Sequence, residues 1–205
     1  MSDVDDPFTV VLATRNQNKI KEILAIFQDA SLRFLTLDDF PGAPDVVEDS
    51  PTLEGNAQKK AYEMAHFTQQ IALADDSGLE VDFLDGMPGV ISARFAGKGC
   101  SYGDNNNKLL RLLKNAPPAK RTAKFVCVMA LYDNGKLIEA VRGECAGKIA
   151  TEPRGKSGFG YDPVFIPKGY LKTYAELPRS TKNRISHRGR ALQAAKKIIL
   201  KFCRT

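Results

Sequence analysis

The sequence predicts an α/β fold with a mixed β-sheet. Short apolar, β-favouring runs alternate with segments whose apolar residues recur at helical spacing, a pattern typical of parallel units in which a helix connects two strands. Two longer β-favouring runs flank Asn134-Gly135, the strongest hairpin signal in the chain, so part of the sheet is expected to be antiparallel. The 205 residues, 43% of them hydrophobic, are enough to bury a sizeable core. We therefore expect one domain, residues 1–205, with room for two lobes.

The first half of the chain predicts two strands, each followed by a helix. Phe8 to Ala13 is the first strand, and the polar loop Thr14 to Lys19 leads into a helix with apolar residues from Ile20 onward. Arg33 to Leu37 is the second strand. A loop rich in Pro and Asp then ends at Ser50-Pro51-Thr52, which has the composition of a helix start. The buried face of this helix is predicted from its apolar residues Leu53, Ala57, Ala61, Met64 and Ala65.

The middle of the chain predicts a strand pair and a third helix. Ile71 to Ala74 and Leu79 to Val81 are β-favouring pieces on either side of Asp75-Asp76-Ser77-Gly78, which is interpreted as a turn between strands. A helix is predicted from about Asp104 to Lys114, because Pro117-Pro118 cannot continue it.

The last part of the chain predicts a hairpin, a glycine-rich loop and a terminal helix. Thr122 to Tyr132 and Leu137 to Ile149 are the hairpin strands. The loop Gly155 to Asp162 follows, and Val164 to Ile166 is another short strand. The last helix is expected from about Ser186 to Phe202, with a buried face made of Leu192, Ala195, Ile199 and Phe202.

Charge and cysteine patterns exclude several classes of protein. The net charge of +6 admits nucleic-acid binding, but carboxylates concentrate at Asp38 to Glu54 and Asp75 to Asp85, and basic residues are scattered before Arg179 to Lys201. Acidic and basic segments together suit a metal ion bound to a polyphosphate. No C-x-x-C spacing or long apolar segment is present, so we expect free thiols, no membrane span and a cytoplasmic protein. The thiols, expected to be buried, are Cys100, Cys127, Cys145 and Cys203.

Two segments carry residues suited to phosphate and metal chemistry. The loop Thr14 to Lys19, at a helix N-terminus, offers backbone N–H groups, a hydroxyl and an ammonium to phosphate oxygens, although a plain polar turn with a solvated lysine is the favoured interpretation of this motif taken alone. The adjacent carboxylates of Asp75 and Asp76 repel each other unless a cation or proton compensates, and a solvated turn is the alternative. Glu48 is a further carboxylate candidate for Mg²⁺, whereas Glu54 is better explained by the helix dipole.

Two further segments suit recognition of a base or of phosphates. Gly158-Phe159-Gly160-Tyr161-Asp162-Pro163 places aromatic residues between glycines, where a ring can stack on a base, although a core-packing turn is the simpler interpretation. Ser186-His187-Arg188, with Lys182 upstream, supplies hydrogen-bond donors at a helix start, where basic residues are usually only part of the surface.

These segments together resemble the inosine/xanthosine triphosphate pyrophosphatase family, which removes deaminated purine nucleotides from the precursor pool. The resemblance covers nearly the whole chain. It rests on six ordered motifs: Val11 to Asn16 with Lys19, Thr52 to Ala57 with Lys60-Ala61, Ala74 to Leu79, Pro88 to Phe95, Gly158 to Pro163, and Ile185 to Leu192. Two positions depart from the family pattern, since Arg15 stands where glycine is frequent and Gly55 where glutamate is common.

The resemblance implies an elongated two-lobed α/β fold with a central mixed sheet flanked by helices and the active site in the cleft between the lobes. It implies a homodimer that hydrolyses ITP, dITP and XTP to the monophosphate and pyrophosphate, with Mg²⁺ as cofactor. Glu48 and Asp76 would serve the metal, and Asp76 would also be the catalytic base. The substrate-binding residues implied are Thr14, Arg15, Asn16, Gln17, Asn18, Lys19, Lys60, Ser77, Phe159, Gly160, Tyr161, Asp162, Lys182, His187 and Arg188.

Base choice follows from hydrogen bonding if the resemblance holds. Hypoxanthine and xanthine present a 6-oxo acceptor, which Arg188 or backbone N–H groups would satisfy, whereas adenine presents a donor there. One alternative is a related pyrophosphatase with another base preference. The other is a basic nucleic-acid-binding module, which is disfavoured because the acidic segment at Asp75-Asp76 would repel its partner. We therefore expect purine nucleoside triphosphates as partners, and neither a stable nucleic-acid partner nor a membrane.

Overall fold

The computed structural model describes residues 8–28 and 32–203, so the two ends of the predicted 1–205 domain lie outside the described residues. The fold is α/β, as predicted. Its helices and strands are β1 (Phe8–Leu12), α1 (Gln17–Ile26), β2 (Leu32–Thr36), α2 (Leu53–Thr68), β3 (Ile71–Val81), α3 (Tyr102–Leu112), β4 (Thr122–Asp133), β5 (Lys136–Ile149), β6 (Phe165–Pro167), α4 (Arg179–Ile185) and α5 (His187–Phe202).

The strands form one six-stranded mixed sheet in the order β2-β1-β3-β4-β5-β6. Strand β1 is parallel to β2 and to β3, with Val10 opposite Phe34 on one side and Ile71 on the other. Strand β6 is antiparallel to β5, with Ile166 opposite Lys148. The mixed sheet predicted from the sequence is therefore confirmed.

The chain divides into two compact units. The first unit contains the described residues up to Asp76, together with Val128–Val141 and the described residues from Leu192 onward. The second unit contains Ser77–Cys127 and Arg142–Ala191. Strand β3 passes from the first unit to the second at the peptide bond between Asp76 and Ser77, so these neighbouring residues belong to different units.

Each unit has its own buried apolar residues. In the first unit, the five residues predicted for the inward face of α2 are all buried, and β1 and β3 contribute further buried side chains. The second unit has an aromatic core in which Phe125 packs against Phe165 and Tyr174, with ring centroids 4.7 and 5.9 Å apart. Cys127 and Cys145 are buried free thiols, as predicted, whereas Cys100 and Cys203 are only half-buried.

The structure corrects the turn predicted at Asp75 to Gly78. Strand β3 runs without interruption from Ile71 to Val81, and both aspartates are buried within it, with 2% and 7% of their surface exposed. The turn was expected because Asp75-Asp76-Ser77-Gly78 has a turn-like composition between two β-favouring pieces, and a solvated turn was the alternative to a site in which a cation compensates the two carboxylates. The ammonium groups of Lys19 and Lys60 lie 3.0 Å from Asp75 and 3.9 Å from Asp76, and this compensation allows the strand to continue.

The other elements follow the sequence closely, with one omission. The hairpin of β4 and β5 turns at Asn134-Gly135, and both residues have the positive φ that a tight hairpin turn requires. Helix α4 was not predicted, because Arg179–Ile185 contains a single apolar residue and so shows no helical periodicity. In the described part of the chain, no helix combines the length and the apolar character that crossing a bilayer requires.

Candidate active site

The first turn of α1 and the loop before it carry the predicted phosphate-binding residues. Helix α1 begins at Gln17, so Gln17, Asn18 and Lys19 lie on the helix and not in the loop. Asn16 caps the helix, since its side-chain oxygen accepts hydrogen bonds from the backbone N–H groups of Asn18 and Lys19 at 3.0 and 3.3 Å. Thr14 Oγ1 accepts from the backbone N–H of Asn16 at 3.2 Å. A phosphate bound here would compete with these internal bonds for the same donors.

Arg15 points away from this cap. Its Nε donates to Asp45 Oδ1 at 3.0 Å, and its Nη2 donates to the carbonyl of Ala43 at 2.7 Å. The guanidinium therefore joins the loop after β1 to the loop that precedes Glu48. Whether Arg15 also contacts substrate stays a prediction.

Lys60, on α2, is the centre of an acidic cluster in the first unit. Its Nζ lies 2.5 Å from Glu48 Oε1, 3.9 Å from Asp76 Oδ1 and 2.7 Å from the carbonyl oxygen of Asp75. Burial alone would lower the pKa of Lys60, but the carboxylates of Asp75, Asp76 and Glu48 outweigh it and raise the pKa. This lysine is therefore charged at neutral pH and compensates the acids around it.

Asp75 and Asp76 serve different partners from the same strand. Asp75 Oδ2 lies 3.0 Å from Lys19 Nζ, which ties β3 to the first turn of α1. Asp76 Oδ1 lies 3.9 Å from Lys60 Nζ, and Asp76 Oδ2 accepts a hydrogen bond from the side-chain amide of Asn56 at 3.2 Å. Burial raises the pKa of Asp76, and the ammonium groups of Lys60 and Lys19 only partly oppose it. A carboxyl group with a raised pKa beside a lysine is a common feature of catalytic sites.

The carboxylates in this cluster are oxygen ligands of the type that Mg²⁺ prefers. Glu48 and Asp76 both approach the ammonium of Lys60, so a divalent cation could occupy the same carboxylate environment. Among residues 8–28 and 32–203, no three acidic, histidine or cysteine side chains are grouped to hold a metal by themselves. Protein Mg²⁺ sites usually supply one or two carboxylates and leave the other positions to water and phosphate, so the pair fits this type of site.

The second unit contains the predicted aromatic loop, Gly158 to Pro163, and hydrogen bonds hold this loop in place. Asp162, 3% exposed, accepts from Lys182 Nζ at 2.5 Å and from the backbone N–H of Phe159 at 2.8 Å. The Lys182 ammonium also lies 4.9 Å from the centre of the Phe159 ring. Asn106 donates to the carbonyl of Gly160 at 3.0 Å. The side chains of Asp162, Lys182 and Asn106 thus hold the loop that carries the Phe159 ring.

Arg188 brings further predicted residues together in the same unit. Its Nη2 donates to Ser77 Oγ at 3.2 Å, and its guanidinium carbon lies 5.5 Å from the Phe159 ring centre. The side chain is 3% exposed, so its orientation is fixed by packing. A directed donor beside an aromatic face is the arrangement needed to stack a base and bond its edge.

Tyr161 and His187, also predicted to bind substrate, are buried. The Tyr161 hydroxyl donates to the carbonyl of Ser92 at 2.9 Å, and burial raises the pKa of that hydroxyl. The His187 ring stacks on Phe125 at 4.4 Å with an interplanar angle of 7°. Both side chains pack against other protein groups, and their contact with substrate stays a prediction.

Three residues that hydrogen-bond to the predicted site residues were not themselves predicted to take part in the site. They are Asn56, Asn106 and Ser92. Asn56 was detectable in principle, because it is a polar residue immediately before Ala57 on the apolar side of α2. Ser92 accepts the backbone N–H of Leu79 at 2.9 Å and donates to the carbonyl of Gly89 at 2.6 Å. No local pattern distinguishes such a serine from a surface serine.

In comparisons with known proteins, the chain is similar to members of one family. The sequence model of the Ham1 family matches residues 10–198. A dITP/XTP pyrophosphatase of Desulforamulus reducens is 47% identical over 190 residues, which cover 93% of this chain and 94% of that protein. A dITP/XTP pyrophosphatase of Geobacter sulfurreducens is 50% identical over 187 residues, or 91% and 94% of the two chains. The HAM1 protein from Coxiella burnetii superposes with a TM-score of 0.87 at 39% identity, covering 95% of this chain and 99% of that one.

Proposed function

Because the chain belongs to the Ham1 family, we propose that it is a nucleoside-triphosphate pyrophosphatase that removes dITP, ITP and XTP from the nucleotide pool. The reaction releases the monophosphate and pyrophosphate, which keeps deaminated bases out of DNA and RNA. The observation that carries the proposal is the cluster of Lys60, Glu48 and Asp76, with a buried carboxyl group of raised pKa, in a chain whose relatives are named for this activity.

Asp76 is proposed as the catalytic base. It would orient a water molecule towards the α-phosphorus and accept its proton, and the raised pKa makes this carboxylate a better proton acceptor than an exposed aspartate. Lys60 and Lys19 would stabilise the negative charge of the pyrophosphate that leaves. Both ammonium groups are already held near the acidic strand β3, so little reorganisation is needed.

Glu48 and Asp76 are proposed to hold Mg²⁺. When bound, the ion would neutralise phosphate charge and so lower the cost of bringing the triphosphate to these acids. Lys60, Glu48 and Asp76 would then exchange part of their mutual contacts for contacts with the metal and the phosphates. Removal of divalent cations with EDTA is therefore expected to stop turnover.

The second unit is proposed to recognise the base. Phe159 offers an aromatic face, and Arg188 offers a donor to the 6-oxo group that hypoxanthine and xanthine share. Adenine would place an amino donor against this guanidinium and leave both donors unsatisfied, a mismatch that discriminates strongly.

We also propose that the protein is a cytoplasmic homodimer. The resemblance to homodimeric pyrophosphatases supports this state, and so do three large apolar side chains on the second unit that are 40–48% exposed. These residues are Phe83, Met87 and Ile91. Sedimentation equilibrium of the wild type and of a Met87→Lys variant tests the proposal. If the two subunits meet through this apolar surface, the charge introduced at residue 87 should dissociate the dimer into monomers.

The activity is tested by measuring Mg²⁺-dependent release of pyrophosphate and orthophosphate from inosine, xanthosine, guanosine, adenosine and pyrimidine triphosphates. Pyrophosphate released mainly from the inosine and xanthosine nucleotides is the expected result. Orthophosphate as the main product would mean that a different bond is cut. Equal turnover of all bases would contradict the proposed role of Arg188 and Phe159.

A further inference from the structure

Asn56 is a buried amide at the start of α2. The helix begins at Leu53, so Asn56 lies in its first turn, and only 1% of its surface is exposed. A buried amide must find hydrogen-bond partners for both its donor and its acceptor, because leaving either unsatisfied costs about 1–3 kcal/mol. The partners of Asn56 therefore show what it holds in place.

Those partners are Asp76 and the backbone of Ser50. The side-chain oxygen accepts from the backbone N–H of Ser50 at 2.9 Å. The side-chain nitrogen is 3.2 Å from Asp76 Oδ2 and 3.4 Å from the carbonyl oxygen of Ser50. A single amide thus contacts both polar backbone groups of one residue and one carboxylate oxygen of another.

This arrangement connects the two proposed metal ligands. Ser50 follows Glu48 by two residues, so fixing its backbone limits where the Glu48 side chain can lie. The contact with Oδ2 limits rotation of the Asp76 carboxylate and leaves Oδ1 on the side of Lys60, at 3.9 Å from its ammonium. One amide therefore restrains both the Asp76 carboxylate and the backbone two residues after Glu48.

The chemistry of an amide suits this role better than the alternatives. A lysine or arginine at residue 56 would also donate to Asp76, but its positive charge would repel a divalent cation. An aspartate would accept from Ser50 but would face Asp76 with a second negative charge. Asparagine is a neutral side chain that donates to one partner and accepts from the other.

We propose that Asn56 is a positioning residue of the hydrolysis, which acts through Asp76 and through the Ser50 segment that follows Glu48. The inference rests on the proposed function and goes beyond it, since it assigns a role to a residue whose hydrogen bonds run to Asp76 and to the backbone of Ser50. It predicts that loss of the amide lowers kcat while KM for the nucleotide changes little. A group that only stabilised the fold would lower stability without a separate effect on the catalytic step.

The test uses Asn56→Asp, Asp76→Asn and the exchanged pair Asn56→Asp with Asp76→Asn. Each variant is compared with wild type by pyrophosphate release from ITP at saturating Mg²⁺ and by thermal unfolding in EDTA. Asn56→Asp should lower kcat by about 100-fold, as expected for a misplaced catalytic group, with KM changed less than about threefold. Gln58→Ala is the control, because Gln58 lies on the same helix and makes only an exposed hydrogen bond to Glu54.

The exchanged pair tests whether the carboxylate has to stand at residue 76 once the hydrogen bond between residues 56 and 76 has been restored. It restores a carboxylate–amide hydrogen bond with reversed direction, so the Tm lost in Asn56→Asp should largely return. Because the carboxylate now stands at the wrong residue, kcat should stay at the level of Asp76→Asn. Recovery of kcat together with Tm would overturn the inference.

A second pair of variants covers the case in which Asn56→Asp does not fold. Asn56→Ala, compared in the wild-type and Asp76→Asn backgrounds, should lower kcat strongly in the first and less than about twofold in the second, because the amide acts through Asp76. Equal losses in both backgrounds would overturn the inference. An inert wild type would overturn the proposed function itself, whereas an active wild type with an equally active Asn56→Ala would overturn the inference alone.

Discussion

The ammonium of Lys60 donates to the carboxylate of Glu48 at 2.5 Å. Because the same ammonium lies 3.9 Å from Asp76, it occupies the negative environment in which the proposed metal would bind. A metal ion bound as proposed would therefore compete electrostatically with Lys60 for these acids. In the absence of nucleotide the lysine would have the advantage, since Mg²⁺ gives up its water reluctantly.

The first prediction concerns this competition. Lys60→Met removes the charge that compensates Glu48, Asp75 and Asp76, so the site should bind Mn²⁺ about tenfold more tightly in the absence of nucleotide. Turnover of ITP should nevertheless fall by at least about tenfold, because Lys60 is proposed to stabilise the leaving pyrophosphate. Titration of Mn²⁺ by electron paramagnetic resonance, with Lys59→Met as a neighbouring control, measures the first effect. Unchanged Mn²⁺ affinity would contradict the competition.

The second prediction follows from the raised pKa of Asp76, which burial causes. A carboxyl group whose pKa is higher in the folded state favours folding when protonated, and this contribution is lost as the pH rises through the folded-state pKa. At pH 7.5 the ionised Asp76 should therefore destabilise the metal-free protein. Asp76→Asn stays neutral, so its Tm in EDTA should exceed that of wild type at pH 7.5, by about 2–4 °C for each kcal/mol recovered.

The pH dependence of this difference is its control. The Tm advantage of Asp76→Asn should shrink as the pH falls through the raised pKa of Asp76, because the wild-type carboxyl group then also becomes neutral. Thermal unfolding of both proteins between pH 4 and pH 8 gives the comparison. A lower Tm for Asp76→Asn at pH 7.5 would show that Lys60 and Lys19 outweigh the cost of burial.

The third prediction concerns Arg15. Its guanidinium is occupied by Asp45 and by the carbonyl of Ala43, and a surface ion pair of this kind contributes about 0–1 kcal/mol to stability. We expect Arg15→Ala to change KM for ITP less than about threefold and to match Asp45→Ala in both KM and Tm. Lys19→Ala should raise KM much more, because Lys19 is proposed to contact phosphate. A tenfold rise in KM for Arg15→Ala alone would instead support direct phosphate binding by Arg15.

The elements that were predicted correctly are those that depend on residues close together in the sequence. The hairpin depends on Asn134-Gly135, and the buried face of α2 depends on apolar residues three to four positions apart, so both could be read from short windows. The turn predicted at Asp75-Asp76 was wrong because the compensating lysines lie far away in the sequence. The same reason explains why Asn56 was missed, since its partner Asp76 is 20 residues distant.

The fourth prediction explains a departure from the family pattern. At Gly55 a Cβ atom would lie 2.0 Å from Ser50 Oγ and 2.8 Å from Ser50 Cβ, so the glycine lets the Ser50 segment pack closely on α2. Gly55→Glu should lower stability by about 1–3 kcal/mol through overpacking and should lower kcat by displacing Glu48.

The clash itself can be removed by a second substitution. Ser50→Gly deletes both close atoms but keeps the backbone groups that Asn56 binds, so the double variant Ser50→Gly with Gly55→Glu should regain most of the lost Tm and kcat. Ser50→Gly alone is the control. If the double variant is no better than Gly55→Glu, the loss has a cause other than contact with Ser50.

The fifth prediction concerns the loop that presents Phe159. Asp162 accepts from the Phe159 backbone and from Lys182, and both Asp162 and Lys182 are more than nine-tenths buried. Asp162→Asn removes the charge that compensates the lysine, and breaking a buried pair in this way typically costs about 3–5 kcal/mol. We expect a lower Tm, a KM for ITP raised about tenfold and weaker discrimination between ITP and ATP, because an amide oxygen holds the Phe159 backbone more weakly than a carboxylate does.

A second variant separates the two roles of Asp162. Adding Lys182→Met to Asp162→Asn removes the uncompensated ammonium, so Tm should recover by several degrees. KM and base discrimination should not recover, because an amide oxygen accepts from the Phe159 backbone more weakly than a carboxylate does and the ring has lost the cation at 4.9 Å. Thermal unfolding and kcat/KM ratios for ITP over ATP measure the two effects. Full recovery of discrimination in the double variant would mean that the ion pair affects stability alone and that packing by itself positions Phe159.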